Sequence, residues 1–397
     1  MSDIVIIGGG PVGACAGALL AASGLAVTLL EPHPPTALAP DSAPEARVVA
    51  LSRASERILR AAGAWPALAG ARLCAYERMR IWHERQPVAA ALVFDAADVG
   101  EPNLGYISEN RLLQRALLEA FTAAGGELVA ATFTGLAVTP GGVTVATDSG
   151  ELAARLVIGA DGMDSRVRAA AGLGAAQADY HQSAIVARVR SARSHEHTAW
   201  QRFMKDGTLA FLPLFDGSSS IVWSADTRRA EALMALPPVE FAGALAQGAD
   251  QALGETQLLG ERFAFPLRRL DAQRYVAERV ALLGDAAHVV HPLAGQGVNL
   301  GLLDAAVLAE VVAAGCQRRE DPGALALLRA FERWRKSEVA VMAGAIEVFD
   351  RLLAHGTGPL ARLAQAGLTG VNRSQELRRF FIRRALGTSG ELPRVAR

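Results

Sequence analysis

Residues 4–31 read IVIIGGGPVGACAGALLAASGLAVTLLE, and this stretch decides how the rest of the chain is organised. A short apolar run, residues 4–7, ends in three glycines. Alanine and leucine then recur at helical density as far as Ser23, Gly24 interrupts them, and residues 26–30 form a second apolar run. The pattern predicts strand, tight turn, helix, strand. Two wholly apolar strands joined by a helix belong to a parallel sheet covered on both faces. The turn spells Gly8-x-Gly10-x-x-Gly13, and Glu31 closes the second strand 18 residues beyond Gly13. A dinucleotide pyrophosphate needs this arrangement. One glycine makes the turn, one lets the backbone approach the phosphates, and the third lets helix and strand pack closely while the helix start faces the negative charge. Glu31 can accept hydrogen bonds from both ribose hydroxyls and would repel a 2′-phosphate, so the ligand expected is FAD or NAD, not NADP. The stretch is uncharged from Ile4 to Leu30 and long enough to imitate a membrane span, but its glycines and Pro11 interrupt it. Met-Ser-Asp before it lacks the basic start of a signal peptide, and no second apolar window of that length is expected.

Two further segments end apolar runs in the same manner. Gly284-Asp285-Ala-Ala-His288 is followed by Pro292 and then by Gly295-Gln296-Gly297-Val298-Asn299, with a helix beginning near Gly297. An acid delivered by a strand and a glycine-rich loop at a helix start suit a second part of a long cofactor, Asp285 on a ribityl hydroxyl and the helix end on an electron-rich ring. Gly159-Ala-Asp161-Gly162-x-x-Ser165-x-x-Arg168 follows another apolar run; Asp161 and Ser165 there either serve the cofactor or simply cap the next helix. Helical pattern also marks residues 52–63 and 109–124, while residues 152–160 and 279–284 read as strands. Between residues 180 and 265 alternating runs separated by polar turns indicate an antiparallel sheet, and after Gly297 the chain reads as helical, with breaks near Pro322 and at 356–359.

The 397 residues are 51% hydrophobic and 20% charged, a globular composition with room for more than one domain. Lys plus Arg and Asp plus Glu are both 40, so no net field favours nucleic acid. Cys15, Cys74 and Cys316 are scattered, with no zinc or dithiol spacing, and suit a reducing cytosol. His288 and His291 are three apart and His195 and His197 flank a glutamate, yet neither pair has a third ligand at metal spacing; the first pair is expected to order a loop and the second to be solvent-exposed. No nucleophile triad or paired catalytic carboxylates stand out. Residues 358–397 hold eight arginines and two glutamates, a net charge of +6. Leu377, Phe380, Phe381 and Leu386 give part of that stretch an apolar side, which fits either docking on a membrane or partner complex or a solvated helix packed on its own domain.

Together these motifs resemble the FAD-dependent aromatic-ring monooxygenases with a single Rossmann domain, and among them the ubiquinone-biosynthesis hydroxylase family. The resemblance rests on the Gly8–Gly13 start, Arg47-Val-Val-Ala-Leu-Ser52, Gly105-Tyr-Ile-Ser-Glu-Asn-Arg111, Asp161-Gly162, and Gly284-Asp-Ala-Ala-His-x-x-His-Pro-x-Ala-Gly-Gln-Gly-x-Asn-Leu-Gly-x-x-Asp304. It implies an α/β fold: a Rossmann-type FAD-binding domain in three segments (1–72, 95–178, 276–355), an inserted sheet-rich α+β substrate domain (73–94, 179–275) and a C-terminal helical region (356–397). It further implies FAD held by Gly8, Gly10, Gly13, Glu31, Arg47, Arg111, Asp161, Gly162, Asp285 and residues 295–299, with Pro292, Gly295, Gly297 and Asn299 around the flavin ring. The implied reaction is monooxygenation: NAD(P)H visits transiently and reduces FAD, O2 adds at flavin C4a, and the hydroperoxide hydroxylates a polyprenylated phenol on the route to ubiquinone. Alternatives are a hydroxylase of a soluble aromatic acid or secondary metabolite, and a catalytically silent flavin-binding partner in a biosynthetic complex. The family setting implies a cytoplasmic protein, peripherally associated with membrane if at all.

Overall fold

β1 (Ile4–Ile7), α1 (Pro11–Ala22) and β2 (Val27–Leu30) form as their pattern dictates, and β1 and β2 pair in parallel. The computed structural model describes residues 2–39, 41–291, 296–349 and 374–397. Every residue of β1 is buried, and α1, apolar all round, buries eight of its twelve residues against α4 (Asn110–Ala123) and α8 (Gln296–Gln317). Later segments complete the sheet. β8 (Glu127–Val129) lies beside β2, β12 (Leu156–Gly159) beside β1, and β19 (Val280–Leu282) beside β12, all parallel, with β18 (Val276–Ala277) antiparallel at the edge.

Residues 152–160, expected as one strand, are two. β9 (Phe133–Thr139), β10 (Gly142–Thr147) and β11 (Gly150–Ala154) form a meander, and the chain then passes at Arg155 into the parallel sheet. The backbone N–H groups of Arg155 and Leu156 both donate to the Asp3 carbonyl, which fixes the handover.

A second sheet of eight strands runs β20-β17-β13-β16-β15-β14-β5-β6. It takes β5 (Arg78–His83) and β6 (Leu92–Asp95) from early in the chain, then β13 (Ala175–Ser191), β14 (Thr198–Met204), β15 (Gly207–Pro213), β16 (Ser219–Asp226), β17 (Thr256–Ala272) and β20 (His288–Val289). Most neighbours are antiparallel, but β14 and β5 are parallel. The alternating pattern of this region did not disclose α6 (Thr227–Ala235) and α7 (Pro238–Gly248), whose Leu233, Phe241 and Leu245 cover one face of the sheet at Ile221 and Trp223. The opposite face looks toward the parallel-sheet layer.

Between the two layers lies a small antiparallel sheet, β3 (Val48–Ser52), β7 (Gly105–Glu109) and β4 (Cys74–Tyr76), with α2 (Arg53–Ala61) and α3 (Trp65–Ala69) beside it. A short α5 (Arg166–Ala170) follows β12, and α9 (Leu325–Phe349) packs on α8. Contrary to expectation, a second window does match a membrane span: Gly297–Gln317 has mean hydropathy 1.6. It is 61% buried and is a core helix of the parallel-sheet layer. The C-terminal helix Gln375–Ala385 anchors through Ile382, and Leu386 just beyond it, on a cluster containing Tyr76 and Ile107, and leaves Phe380, Arg379 and Arg383 exposed. Arg362, Arg373, the break at 356–359 and the side chains of Leu377 and Phe381 lie outside the described residues.

Candidate active site

The three glycines of the first turn do different work. Gly8 has φ +102°, and a Cβ there would stand 2.4 Å from the Ala160 carbonyl oxygen. A Cβ on Gly13 would be 2.0 Å from the Gly8 carbonyl oxygen, so α1 reaches its strand only because the side chain is missing. Gly10 is the opposite case, with nothing within 4 Å of its absent Cβ. It is the N-cap of α1, its side makes no capping bond, and Pro11 follows at the first helical position. An open backbone beside an uncapped helix start is what a diphosphate requires. Glu31 leaves β2 with its carboxylate beside this turn, accepting from the backbone N–H of Gly9 at 2.9 Å and of His33 at 3.0 Å. From the other side the Gln114 amide of α4 donates to the Gly9 carbonyl at 2.9 Å, a contact not expected from sequence. Arg111, one turn earlier on α4, pairs with Glu45 at 2.7 Å.

The second turn leaves β19 at Gly284, which has φ +54°. Asp285 and Arg47 face one cavity, of about 410 Å³, that also meets the start of α8 at Gly297. The Asp285 carboxyl is open to solvent through this cavity, yet the surrounding walls withdraw enough water to raise its pKa above that of an ordinary aspartate; His288 and Arg47 partly offset the effect. The turn itself is held from beneath. Asp304 of α8, fully buried, accepts from the Gly284 N–H at 3.0 Å and the Arg335 Nε at 2.7 Å, and its Oδ2 is 2.6 Å from the His288 Nε2. Burial alone would push the Asp304 pKa up, but His288 and Arg335 reverse the sign and hold it below the usual carboxylate range. His288 thus orders the loop, as the sequence led us to expect. Arg335, on α9, was missed. The available signal was Asp304 itself, an acid in an apolar helical run, which has to find buried partners.

Asp161 and Ser165 take the capping geometry. The Ser165 hydroxyl accepts from the Arg168 N–H at 2.9 Å and donates to Asp161 at 2.5 Å, while the other Asp161 oxygen accepts from the Val167 N–H at 3.1 Å. Gly162 beside them has φ +83°. Arg168 is buried and donates to the carbonyls of Ala286 and Met163, at 2.9 and 2.8 Å, which ties this segment to the Asp285 turn. The Asn299 amide also has partners of its own: Oδ1 accepts from the Ser52 N–H and the Ser55 hydroxyl, and Nδ2 donates to the Ala50 carbonyl. Asn299 therefore fastens β3 and α2 to α8 through its side chain. Val298, one residue before it, packs on the parallel-sheet core. Pro292 and Gly295 lie outside the described residues, as does the Gln296 side chain.

From the Asp285 end the cavity extends to the uncovered face of the eight-stranded sheet, where Ala184, Val186, Val222, Leu212 and Met79 line it. The other histidine pair does not line it. His197 is exposed as expected, but His195 is buried, which lowers its pKa, and its Nδ1 accepts from the His197 N–H at 3.2 Å.

Residues 1–339 match the family model described as FAD binding domain. The chain is 36% identical over 416 aligned positions to the ubiquinone hydroxylase UbiL of Rhodospirillum rubrum, with 100% of this chain and 93% of that one covered. It is 35% identical over 397 positions to the 3-demethoxyubiquinol 3-hydroxylase of Escherichia coli, covering 97% and 98%. Among solved structures, p-nitrophenol 4-monooxygenase from Pseudomonas putida superposes with a TM-score of 0.78 at 17% identity, over 97% of this chain and 98% of that one, a likeness of fold alone.

Proposed function

Because this chain belongs to the FAD binding domain family, and within it to the hydroxylases of ubiquinone biosynthesis, we propose that it hydroxylates the aromatic ring of a polyprenylated phenol with O2 and a transient NAD(P)H donor. When bound, FAD supplies the activation of O2 and the delivery of the hydroxyl group; the protein supplies placement, electrostatics and dryness. Gly8, Gly10, Gly13 and the start of α1 would hold the pyrophosphate, Glu31 a ribose, Asp285 the ribityl chain, and Arg47 and Arg111 the length between. Asp161 and Gly162 would act beside them. Backbone N–H groups at the start of α8, around Gly297 and Val298, are oriented before reaction and would stabilise negative charge on the electron-rich edge of the ring. Pro292, Gly295, Gln296 and Asn299 complete that proposal.

The observation that carries this reading is the continuity of the cavity, polar where Asp285 and Arg47 stand and mostly apolar along the sheet, where Gln201, Thr208 and Ser224 are uncharged polar members of the lining. A soluble aromatic acid would need a cation held at the apolar end. The cationic side chains lining the cavity, Arg47 and Arg268, are both exposed at its margin, which favours a neutral phenol with a lipid tail. The arginines flanking Phe380 would bring the protein to an anionic lipid surface carrying such a substrate. The test is turnover on vesicles of anionic lipid loaded with a prenylated phenol. Hydroxylated product, with protein sedimenting with the vesicles, is the expected result. Product from soluble aromatic acids but none from the prenylated phenol would reject the substrate; a yellow protein that never consumes NAD(P)H with any phenol and O2 would leave only a flavin-binding partner.

Asp285 gives a second expectation. Its carboxylate is the hydrogen-bond acceptor, and its raised pKa means that the proton returns sooner than to an ordinary aspartate as the solution is acidified. FAD retention should therefore weaken as pH falls toward that pKa. Asp285→Ala should remove a charge-assisted bond of about 1.5–3 kcal/mol, roughly a tenfold to hundredfold loss of FAD affinity, and flatten the acid limb. Equilibrium dialysis of FAD between neutral and mildly acid pH decides it; unchanged retention by the variant would refute the assignment.

A further inference from the structure

A cavity of about 410 Å³ is at the small end of ligand sites and already has to admit a flavin ring beside a phenol. A polyprenyl chain has to leave it. β17 shows where. Leu267, Phe265 and Phe263 are spaced by two and therefore share one face of the strand. Leu267 lines the cavity and is 8% exposed, Phe265 lines it and is 42% exposed, and Phe263 stands beyond the lining at 45% exposed. Their register partners on β13 repeat the pattern: Phe265 lies opposite Ala184 and Phe263 opposite Val186, both of which line the cavity. The residue just before Phe263 confirms the alternation. Arg262 projects to the other face, where its guanidinium donates to the carbonyls of Leu233 and Leu236 and sits 4.8 Å from the Phe241 ring centroid. Arg47 sits 5.8 Å from the Phe265 ring centroid, and Phe263 lies one strand repeat, about 7 Å, farther along β17.

We propose that the polyprenyl tail of the substrate leaves the cavity along this stripe, with Phe265 as the threshold and Phe263 as the first apolar contact outside. The inference rests on the reading of the substrate as a prenylated phenol and adds the residues that select for the tail. Two exposed phenylalanines in line with a cavity wall are a costly surface unless something apolar covers them, and a neutral isoprenoid chain needs no polar partner there. Phe265 meets Arg47, which is assigned to FAD, so the variant is made at Phe263, outside the cavity lining, and its FAD content is measured alongside.

The experiment compares one phenol without a tail and the same phenol carrying a farnesyl chain, on the FAD-loaded protein. Both kcat/KM and the dissociation constant by equilibrium dialysis are measured, for wild type, Phe263→Ser and the control Val239→Ser, which alters an 83% exposed residue on α7. For Phe263→Ser the preference for the farnesylated phenol should fall by about tenfold, in KM and in binding rather than kcat, because one aromatic contact with the chain is lost. Val239→Ser should keep the wild-type preference. If wild type hydroxylates both phenols and Phe263→Ser retains the same preference, the stripe is not the exit and the inference is overturned while the hydroxylase reading stands. If wild type turns over neither, that reading falls and takes the stripe with it.

Discussion

Gly10→Val should yield a folded protein that is colourless. The backbone of Gly10 lies at φ −62° and ψ 172°, a conformation any residue adopts, and no atom stands within 4 Å of the place its Cβ would occupy. The direct cost to the fold is the weaker N-cap, about 1 kcal/mol. The open space is where the phosphates must come, and a branched side chain there keeps them off the N–H groups of α1. A loss of FAD affinity above about a hundredfold is expected. Gly13→Val makes the contrast. Its Cβ would lie 2.0 Å from a backbone oxygen of the same turn, so α1 would be forced off β1 and the fold itself should fail. Flavin-to-protein ratio and circular dichroism on the two variants separate binding from folding. A Gly10→Val protein that stays yellow would show that this turn does not carry the pyrophosphate.

Sequence disclosed what depends on neighbours along the chain. Residues 4–31 announce strand, turn, helix and strand because apolar runs, glycine spacing and the closing acid are all local, and the structure assigns the three glycines distinct steric roles. What depends on partners far along the chain stayed hidden. Asn299 reads as a loop residue by the flavin, and its amide is in fact engaged by Ala50, Ser52 and Ser55, nearly 250 residues away in the chain. Residues 152–160 keep an unbroken strand pattern, and only the Asp3 carbonyl tells Arg155 to change sheets. His195 looks like part of an exposed polar turn until the fold buries it. Asp285, proposed for the ribityl chain, could be read from its motif, whereas the frame that positions it could not, since Arg335 belongs to a helix with no motif of its own.

That frame carries the second large effect. Asp304→Ala should cost about 3–5 kcal/mol, because it leaves the Arg335 guanidinium, 2% exposed, without its carboxylate. Such a loss is a large share of the roughly 5–15 kcal/mol that keeps a domain folded. It also removes the acceptor of the Gly284 N–H, so the turn presenting Asp285 should loosen and FAD affinity should fall even in protein that remains folded. Asp304→Asn keeps the shape and one acceptor oxygen and isolates the charge. The sign follows from the lowered pKa of Asp304. Its charge contributes stability in full above the unfolded aspartate value of about 3.9, and that contribution disappears as pH falls through the lower folded value. Urea unfolding of the FAD-loaded protein should show wild type well above Asp304→Asn at neutral pH, with the gap closing in acid below about pH 4. A gap of the same size at both ends of the pH range would mean that hydrogen-bond geometry, and not the ion pair with Arg335, holds the turn.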